Sequence, residues 1–541
     1  MPHQFNQESF LKQSKLRVMT LAGVASLVWI AASAAHAQLV NGVEVTTADH
    51  AHLMSLRGAM PKNDEFSKSR VAHPARPLPW LDGPGSPSDG AQQAQIITPS
   101  AATVGIGFDG IGQGFTGPQG TFTVNSAPPD TNGAVGTTQY VQSVNSALAV
   151  FDKATGKVTY GPVPINTLFQ ALGGSCAADN DGDPVVVFDK LARRWVISQF
   201  AVTATPYYQC VAVSQTDDAT GAYNLYAFNY GSVFPDYPKM GVWPDAYYTS
   251  FNMFNGNTFA GAKACAYDRA SMLAGAAATQ QCVQLSTSYG GLLPADLDGT
   301  TPPPAGAPGI FMARGASSLY RWQMAVNWSN PSATAFSSTP TSIPVASYAA
   351  ACSGGTCIAQ GGVAQKLDSL ADRLMFRLAY RNFGTYDSVV VTHSVQIGST
   401  RKGNAAVRWY EVRNPATANA VYQQGTYNPD STSRWMGSIA QDKQGNMAVG
   451  YSVSSSAIHP GMRFAVRGAA DALGTLQSET SVIEGGGSQT GYNLSRWGDY
   501  AAMTVDPVDD CTFWFTSEYL KANGAFNWST RIASFKYPGC Q

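Results

Sequence analysis

Residues 494–519 read LSRWGDYAAMTVDPVDDCTFWFTSEY, and residues 432–452 read TSRWMGSIAQDKQGNMAVGYS. Both open on Ser-Arg-Trp, run through apolar residues into a turn rich in Asp, Gly and Asn, and return through a second apolar run that ends near Glu518 or Tyr451. Alternation bounded by turn residues predicts a strand, a turn and a second strand. The same pair recurs as TNGAVGTTQYVQSVN (131–145), DPVVVFDKLARRWVISQF (183–200), YPKMGVWPDAYYTSFN (237–252), APGIFMARGASSLYRWQMAVN (307–327) and FRLAYRNFGTYDSVVVTHS (376–394). With the two Ser-Arg-Trp copies this makes a series of seven. Third strands such as QCVAVSQ (209–215), AVRWYEV (406–412) and STRIASFKY (529–537) follow most of them.

Units of four antiparallel strands repeated around an axis bury both faces of each sheet against the neighbouring sheets. The expectation is therefore an all-β chain, a seven-bladed β-propeller over residues 101–541, with a pair of β-sandwiches as the alternative. The last unit runs out of sequence before a fourth strand and would leave an unpaired edge. The stretch TVGIGFDGIGQGFTGPQGTFTV (103–124) is expected to pair there and close the propeller with an N-terminal strand.

Composition agrees. The 541 residues contain 53 Gly, 31 Pro and 11% aromatic residues with only 13% charged, which suits short strands and tight turns. Lys and Arg number 34 against 35 Asp and Glu, so no global charge excess draws the chain to nucleic acid or an acidic membrane. A signal peptide is read over residues 1–37: Lys12, Lys15 and Arg17 precede an uncharged run from Val18 to Ala35, and small residues at Ala35 and Ala37 place cleavage before Gln38. An uncleaved anchor helix is the alternative. Residues 38–100 read as an irregular linker or propeptide, typified by LDGPGSPSDGAQQAQ (81–95). All eight cysteines follow the leader, as the sequential pairs Cys176 with Cys210, Cys265 with Cys282, Cys352 with Cys357 and Cys511 with Cys540. Disulfides fit a secreted or periplasmic monomer without membrane contact once the leader is removed.

In a propeller the first strand of each unit starts at one face and the second returns to it, so the polar residues at those ends converge on a funnel. Asp130, Asp183, Lys239 or Asp245, Arg377, Arg434, Arg496 and Asp499 stand at the starts, and Asn145, Gln199, Asn252, Asn327, His393, Tyr451 and Glu518 at the returns. Guanidinium groups bind carboxylate or sulfate bidentately, so Arg377, Arg434 and Arg496, helped by Asn145, Gln199 and Asn252, are the expected binding residues for an acidic extracellular glycan. Glycosidic cleavage needs an acid and a base or nucleophile, for which Asp130, Asp183, Asp499 and Glu518 are candidates. His393 with Tyr451 would instead serve the proton transfers of a polysaccharide lyase. The competing readings are that these side chains only tie units together, and that the chain is a non-catalytic glycan- or protein-binding propeller.

The stretch CAADNDGDP (176–184) alternates Asp179, Asp181 and Asp183 as ligands of a structural calcium would. Gly182 and Lys190 break the EF-hand pattern, leaving a calcium loop or a solvated Asx turn. A zinc cluster, a phosphate-cradling loop, a serine-hydrolase elbow and a nucleotide fingerprint are all missing from the sequence.

The segments PPDTNGAVG (128–136), RLAYRNFG (377–384), VRWYEV (407–412) and RWGDYAAMTVDPVDDCTFW (496–514) resemble recurring segments of large secreted bacterial proteins of sialidase-like or BNR-like propeller character, over roughly residues 125–540. The resemblance implies an exported bacterial propeller and no particular activity. The SxDxGxxW box of sialidases is absent from the sequence, and the three arginines all lie in its second half, so sialidase chemistry would be an analogy of fold alone.

Overall fold

A computed structural model describes residues 38–40, 42–61, 66, 70–74, 76–79, 89–94, 99–398 and 404–541. The expected signal peptide lies outside the described residues. The chain is all-β, with half of it in strands and 6% in helix. Among the described residues no helix is long and apolar enough to cross a membrane.

Seven antiparallel ladders follow one another along the sequence. Their first strands are β1 (Asn132–Val135), β2 (Val185–Asp189), β3 (Phe234–Val242), β4 (Leu293–Asp298), β5 (Met375–Asn382), β6 (Ser433–Gln441) and β7 (Ala502–Val505). In the first ladder β1 is followed by Gln139–Val144, Ala147–Asp152 and Val158–Pro164, each paired with the strand before it. The ladders headed by β4 and β5 form one sheet, because β4 also pairs in parallel with β5 through Ala295–Leu378 to Asp298–Arg381. Each first strand touches the next, from β1 to β7, and β7 touches β1. In the last ladder β7 is followed by Thr512–Leu520 and Trp528–Lys536, and Thr103–Asp109 pairs antiparallel with Trp528–Lys536.

The apolar residues that the alternation marks are buried between successive ladders. Phe464 and Val466 of the sixth pack on Met503, Phe513 and Phe535 of the seventh, with Phe464 and Phe535 stacked at 3.6 Å between ring centroids. Gly450 lets Phe515 approach, since a Cβ there would stand 2.6 Å from its ring. The seventh ladder packs in turn on the first, where Trp514 and Trp528 meet Val135, Tyr140 and Val144. The four disulfides join the expected pairs, Cys176–Cys210, Cys265–Cys282, Cys352–Cys357 and Cys511–Cys540.

One sequence expectation is corrected, and the stretch read as a largely irregular linker or propeptide gains a few short strands. The fourth unit does not begin at Ala307: its first strand is LPADLD (293–298), and the strand pair read there forms its second and third strands, Gly309–Arg314 and Ser318–Ala325. Residues 38–100 are not only an irregular linker. Val43–Thr47 pairs with Thr279–Gln284, Asp49–Leu53 pairs with Tyr223–Gly231, and Val71–Ala72 pairs in parallel with Ser126–Ala127. Added edge strands are short and bury only part of their surface, so they carry little apolar signal.

Replacing Phe464 by Ala removes a ring from the interface between the sixth and seventh ladders, and is expected to lower stability by about 3–5 kcal/mol. Urea denaturation followed by tryptophan fluorescence measures it. A loss under 1 kcal/mol would mean the ladders do not depend on this contact.

Candidate functional site

Just before β1, β2 and β7, and at the bulge inside β3, a non-glycine residue takes a left-handed backbone: Asp130 at φ 48°, Asp183 at 44°, Asp499 at 61° and Tyr237 at 56°. Such conformations are uncommon outside glycine and cluster where surrounding structure enforces them. Here the enforcement is mutual. The Asp130 amide donates to Gly498 O at 3.1 Å, and the Asp183 amide donates to Asn145 Oδ1 at 3.0 Å. The turned side chains meet at a cavity of about 80 Å³ lined by Asp130, Asp183, Asp236, Arg373, Arg496 and Asp499 together with His73 and Arg76.

Asp130 and Asp183 share the cavity wall, close enough for the charge of Asp183 to disfavour ionisation of Asp130. Burial, with the negative charges of Asp499 and Asp183, holds Asp130 well above the usual carboxylate range. Burial also raises Asp183, against the opposing pull of Lys239. Asn145 Nδ2 donates to Asp130 Oδ2 at 2.6 Å and the Tyr500 hydroxyl to Asp183 Oδ2 at 3.2 Å. Lys239, fully buried, lies over the rings of Tyr237 and Tyr500 at 3.1 and 3.4 Å, and burial pushes its pKa down. Asp236 is pushed up to about 7 by burial and by Asp183.

Arg496 crosses the cavity wall. Its Nη1 donates to Asp368 Oδ2 at 2.8 Å, its Nη2 to Asp499, and its Nε to the His73 carbonyl at 3.0 Å. Burial, and beyond it the Asp499 charge, raise Asp368 to about 6 in spite of Arg496. Glu518 is fully buried behind Asp499, accepts from the Gly498 amide at 2.9 Å, and is raised well above its ordinary range by burial. Four buried carboxylate oxygens, Asp130 Oδ1, Asp368 Oδ1, Asp499 Oδ1 and Glu518 Oε1, have no conventional donor among the described residues.

Of the residues expected from sequence, Asp130, Asp183, Asp499, Glu518, Arg496 and Asn145 come together here. Gln199 and Asn252 do not line the cavity. Gln199 donates to Asp179 O at 3.1 Å, and Asn252 accepts from the Gly291 amide at 2.8 Å, so both fasten neighbouring turns. Arg377 is buried elsewhere between Asp296 and Asp298, with Nε 2.6 Å from Asp296 Oδ2. Arg434 is held by Asp430 and Glu479, and the Tyr451 hydroxyl donates to the same Glu479 at 2.9 Å. His393 is buried against Tyr410, 2.9 Å from its hydroxyl, and burial with the charges of Arg314 and Arg408 pushes its pKa well down. The three arginines therefore do not converge, because Arg377 and Arg434 each have a pair of carboxylates closer at hand. His393 and Tyr451 do not share a site.

The calcium reading of Asp179, Asp181 and Asp183 meets a different geometry. Asp181 accepts from the Val202 amide at 2.6 Å and from Thr203 Oγ1 at 2.8 Å, while Asp183 turns to Asp130 and Tyr500. Among the described residues no group of three or more His, Cys, Asp and Glu side chains is placed to hold a metal ion.

Sequence reasoning missed Asp236, Asp368, Arg373 and His73. A signal for Asp236 was present: in FPDYPKMG (234–241) the left-handed Tyr237 is the counterpart of Asp130 and Asp183, and Asp236 precedes it. Asp368 ends the strand Val363–Asp368 of a hairpin outside the seven ladders, and His73 lies in the presumed linker, so neither falls in the repeat.

No protein-family model matches the chain, and no curated protein matches it. Among solved structures, an ulvan lyase, a polysaccharide lyase bound to GlcA(1-4)Rha3S, is 11% identical with a TM-score of 0.33, covering 82% of this chain and 96% of its own. An exo-beta-1,3-galactanase from Phanerochaete chrysosporium is 10% identical with a TM-score of 0.29, covering 80% and 97%. The WD40 domain of SCAP from fission yeast is 8% identical with a TM-score of 0.29, covering 74% and 79%. Scores this low carry no argument about what this chain does.

Asp236 and Asp368 bind protons more tightly folded than unfolded, so their contribution to stability is present at low pH and is lost as pH rises through about 6 and 7. Asp236→Asn is expected to reduce the fall in stability between pH 5 and pH 8, by at most about 1.4 kcal/mol per pH unit. Denaturation curves of both proteins across that range measure it, and parallel pH profiles would contradict the assignment.

Proposed function

We propose that the seven ladders form a seven-bladed β-propeller, with Thr103–Asp109 as the outer strand of the last blade, and that the carboxylate cavity binds a glycan and hydrolyses a glycosidic bond. The observation that carries this reading is the pair of buried carboxylate oxygens on the cavity wall, Asp130 Oδ1 and Asp499 Oδ1, that have no donor among the described residues. Buried acceptors need hydrogen-bond donors, and a sugar offers several hydroxyls on one rigid ring. The four disulfides suit an exported protein that meets such a ligand outside the cytoplasm.

The same observation changes the class of sugar. Arg496 already has carboxylate or carbonyl partners at Nε and at both terminal nitrogens, and Arg377 and Arg434 lie elsewhere, so the arginine argument for an acidic glycan is gone. With its arginines engaged by neighbouring groups, the cavity offers chiefly carboxylate acceptors, which suit the hydroxyls of a neutral sugar or the ammonium of an amino sugar.

Asp236 keeps its proton to about pH 7 and is the fitting general acid for the leaving oxygen. Asp499, oriented by Arg496, is the partner carboxylate. Asp183 disfavours the charge of Asp130, and each of the two already accepts a hydrogen bond from a neighbour, Asn145 and Tyr500. That pair therefore holds sugar hydroxyls rather than flanking the scissile bond. A lyase acting through His393 and Tyr451 has no shared site to work in.

A second reading, a non-catalytic sugar-binding propeller, is favoured by the internal hydrogen bonds that occupy Arg496 and Asp183. A screen of neutral and amino-sugar oligosaccharides for released reducing ends separates the two. Hydrolysis is expected to fall as pH rises through 7, and Asp236→Asn to lower kcat by about 10²–10⁴ with binding retained. Binding with no new reducing ends from any substrate would establish the second reading instead.

A further inference from the structure

The described residues 70–74 and 76–79 run as a strap over the cavity. Pairing ties the strap down only briefly, through the two residues Val71 and Ala72 and the His73 amide, which donates to Ala127 O at 2.8 Å. Side chains of the cavity wall hold the rest. Arg496 Nε donates to the His73 carbonyl at 3.0 Å, Arg373 Nη2 to the Arg76 carbonyl at 3.1 Å, and the Leu78 amide donates to Asp372 Oδ2 at 2.9 Å. The Arg76 guanidinium lies over Phe234 at 4.2 Å and over Phe254 at 5.2 Å, and it lines the same cavity as Asp236.

Three hollows meet under this strap, of about 80, 250 and 410 Å³. His73 lines all three, and Arg76 lines the first and the last. The strap thus forms a wall common to all three. Much of its length is exposed, including Arg70, Val71, Ala72, Pro74 and Pro77, and Leu78 is its one buried apolar side chain among the described residues.

We infer that the strap is an internal ligand of the cavity, with Arg76 seated in a subsite for a positively charged group, and that it swings out before an external ligand reaches the carboxylates. Two aromatic faces attract a cation by ring quadrupole, and the Asp181 carboxylate stands in the adjoining hollow. A protonated amino sugar offers the same chemistry: an ammonium beside an apolar ring face. This choice of sugar rests on the glycan reading above, whereas the occlusion by the strap does not.

The test uses the full chain. Asp236 is labelled with a carbodiimide and glycine ethyl ester and followed by mass spectrometry, and binding of a glucosamine oligomer is measured by calorimetry. Arg76→Ala is expected to raise the labelling rate of Asp236 at least tenfold and to tighten glucosamine-oligomer binding at least tenfold. Arg76→Lys, which keeps the cation, is expected to stay within about threefold of the wild type. Unchanged labelling of Asp236 in a folded Arg76→Ala protein overturns the occlusion. Faster labelling without tighter binding of the glucosamine oligomer overturns the cation subsite. A rise in both with no glycan cleaved would support the strap and count only against hydrolysis.

Discussion

The Arg496 guanidinium donates to three separate parts of the chain: Asp499 in its own unit, Asp368 at the end of an inserted hairpin, and the His73 carbonyl of the N-terminal segment. Burying a lone arginine beside isolated carboxylates would be costly, but one guanidinium that satisfies two acids and a carbonyl offsets much of the desolvation. The arrangement of the cavity depends on it. Without that charge Asp368 and Asp499 would face each other and the nearby Asp130, Asp183 and Glu518 with Lys239, Arg373 and Arg76 left to compensate. Arg373 repeats the device on the other side, pairing with Asp372 and holding the Arg76 carbonyl.

The polar ends of the second strands have a common structural task on which the chemistry is superimposed. Asn145 accepts from the Asp183 amide and Asn252 from the Gly291 amide, each fastening the leading turn of the following unit. Ser394 accepts from the Met436 amide in the same way. Such side chains are acceptors for backbone groups that the sharp turns leave without strand partners. Where the turn also carries an acid, at Asp130, Asp183 and Asp499, the joint becomes part of the cavity.

Much of the strand pattern was legible because each ladder buries both faces and so alternates clearly between turns. The fourth unit slipped because its first strand, LPADLD, carries two acids that Arg377 neutralises in the interior, and a buried ion pair looks like a turn when only one partner is in view. The arginine set failed for a related reason. Arg434 and Arg496 share the motif Ser-Arg-Trp, yet the left-handed residue follows Arg434 at Met436 and is displaced by one position to Asp499 after Arg496, where Gly498 is left-handed as well. Each arginine then takes the carboxylates its own surroundings supply, Asp430 and Glu479 or Asp368 and Asp499. Short-range motifs carry no information about those distant partners. The N-terminal strands escaped notice because their apolar residues are few and their pairing partners are more than a hundred residues away.

The antiparallel pairing of Thr103–Asp109 with Trp528–Lys536 joins residues as far apart as Thr103 and Lys536, 433 positions. A growing chain has made six of its ladders before the segment that receives Thr103–Asp109 exists. Until then that early strand has an open hydrogen-bonding edge and no cognate mate. The molecule consequently matures late: its final sheet is assembled after synthesis has reached the C-terminal strand, and a partly made chain carries a sticky edge that needs shielding for nearly the whole of its translation.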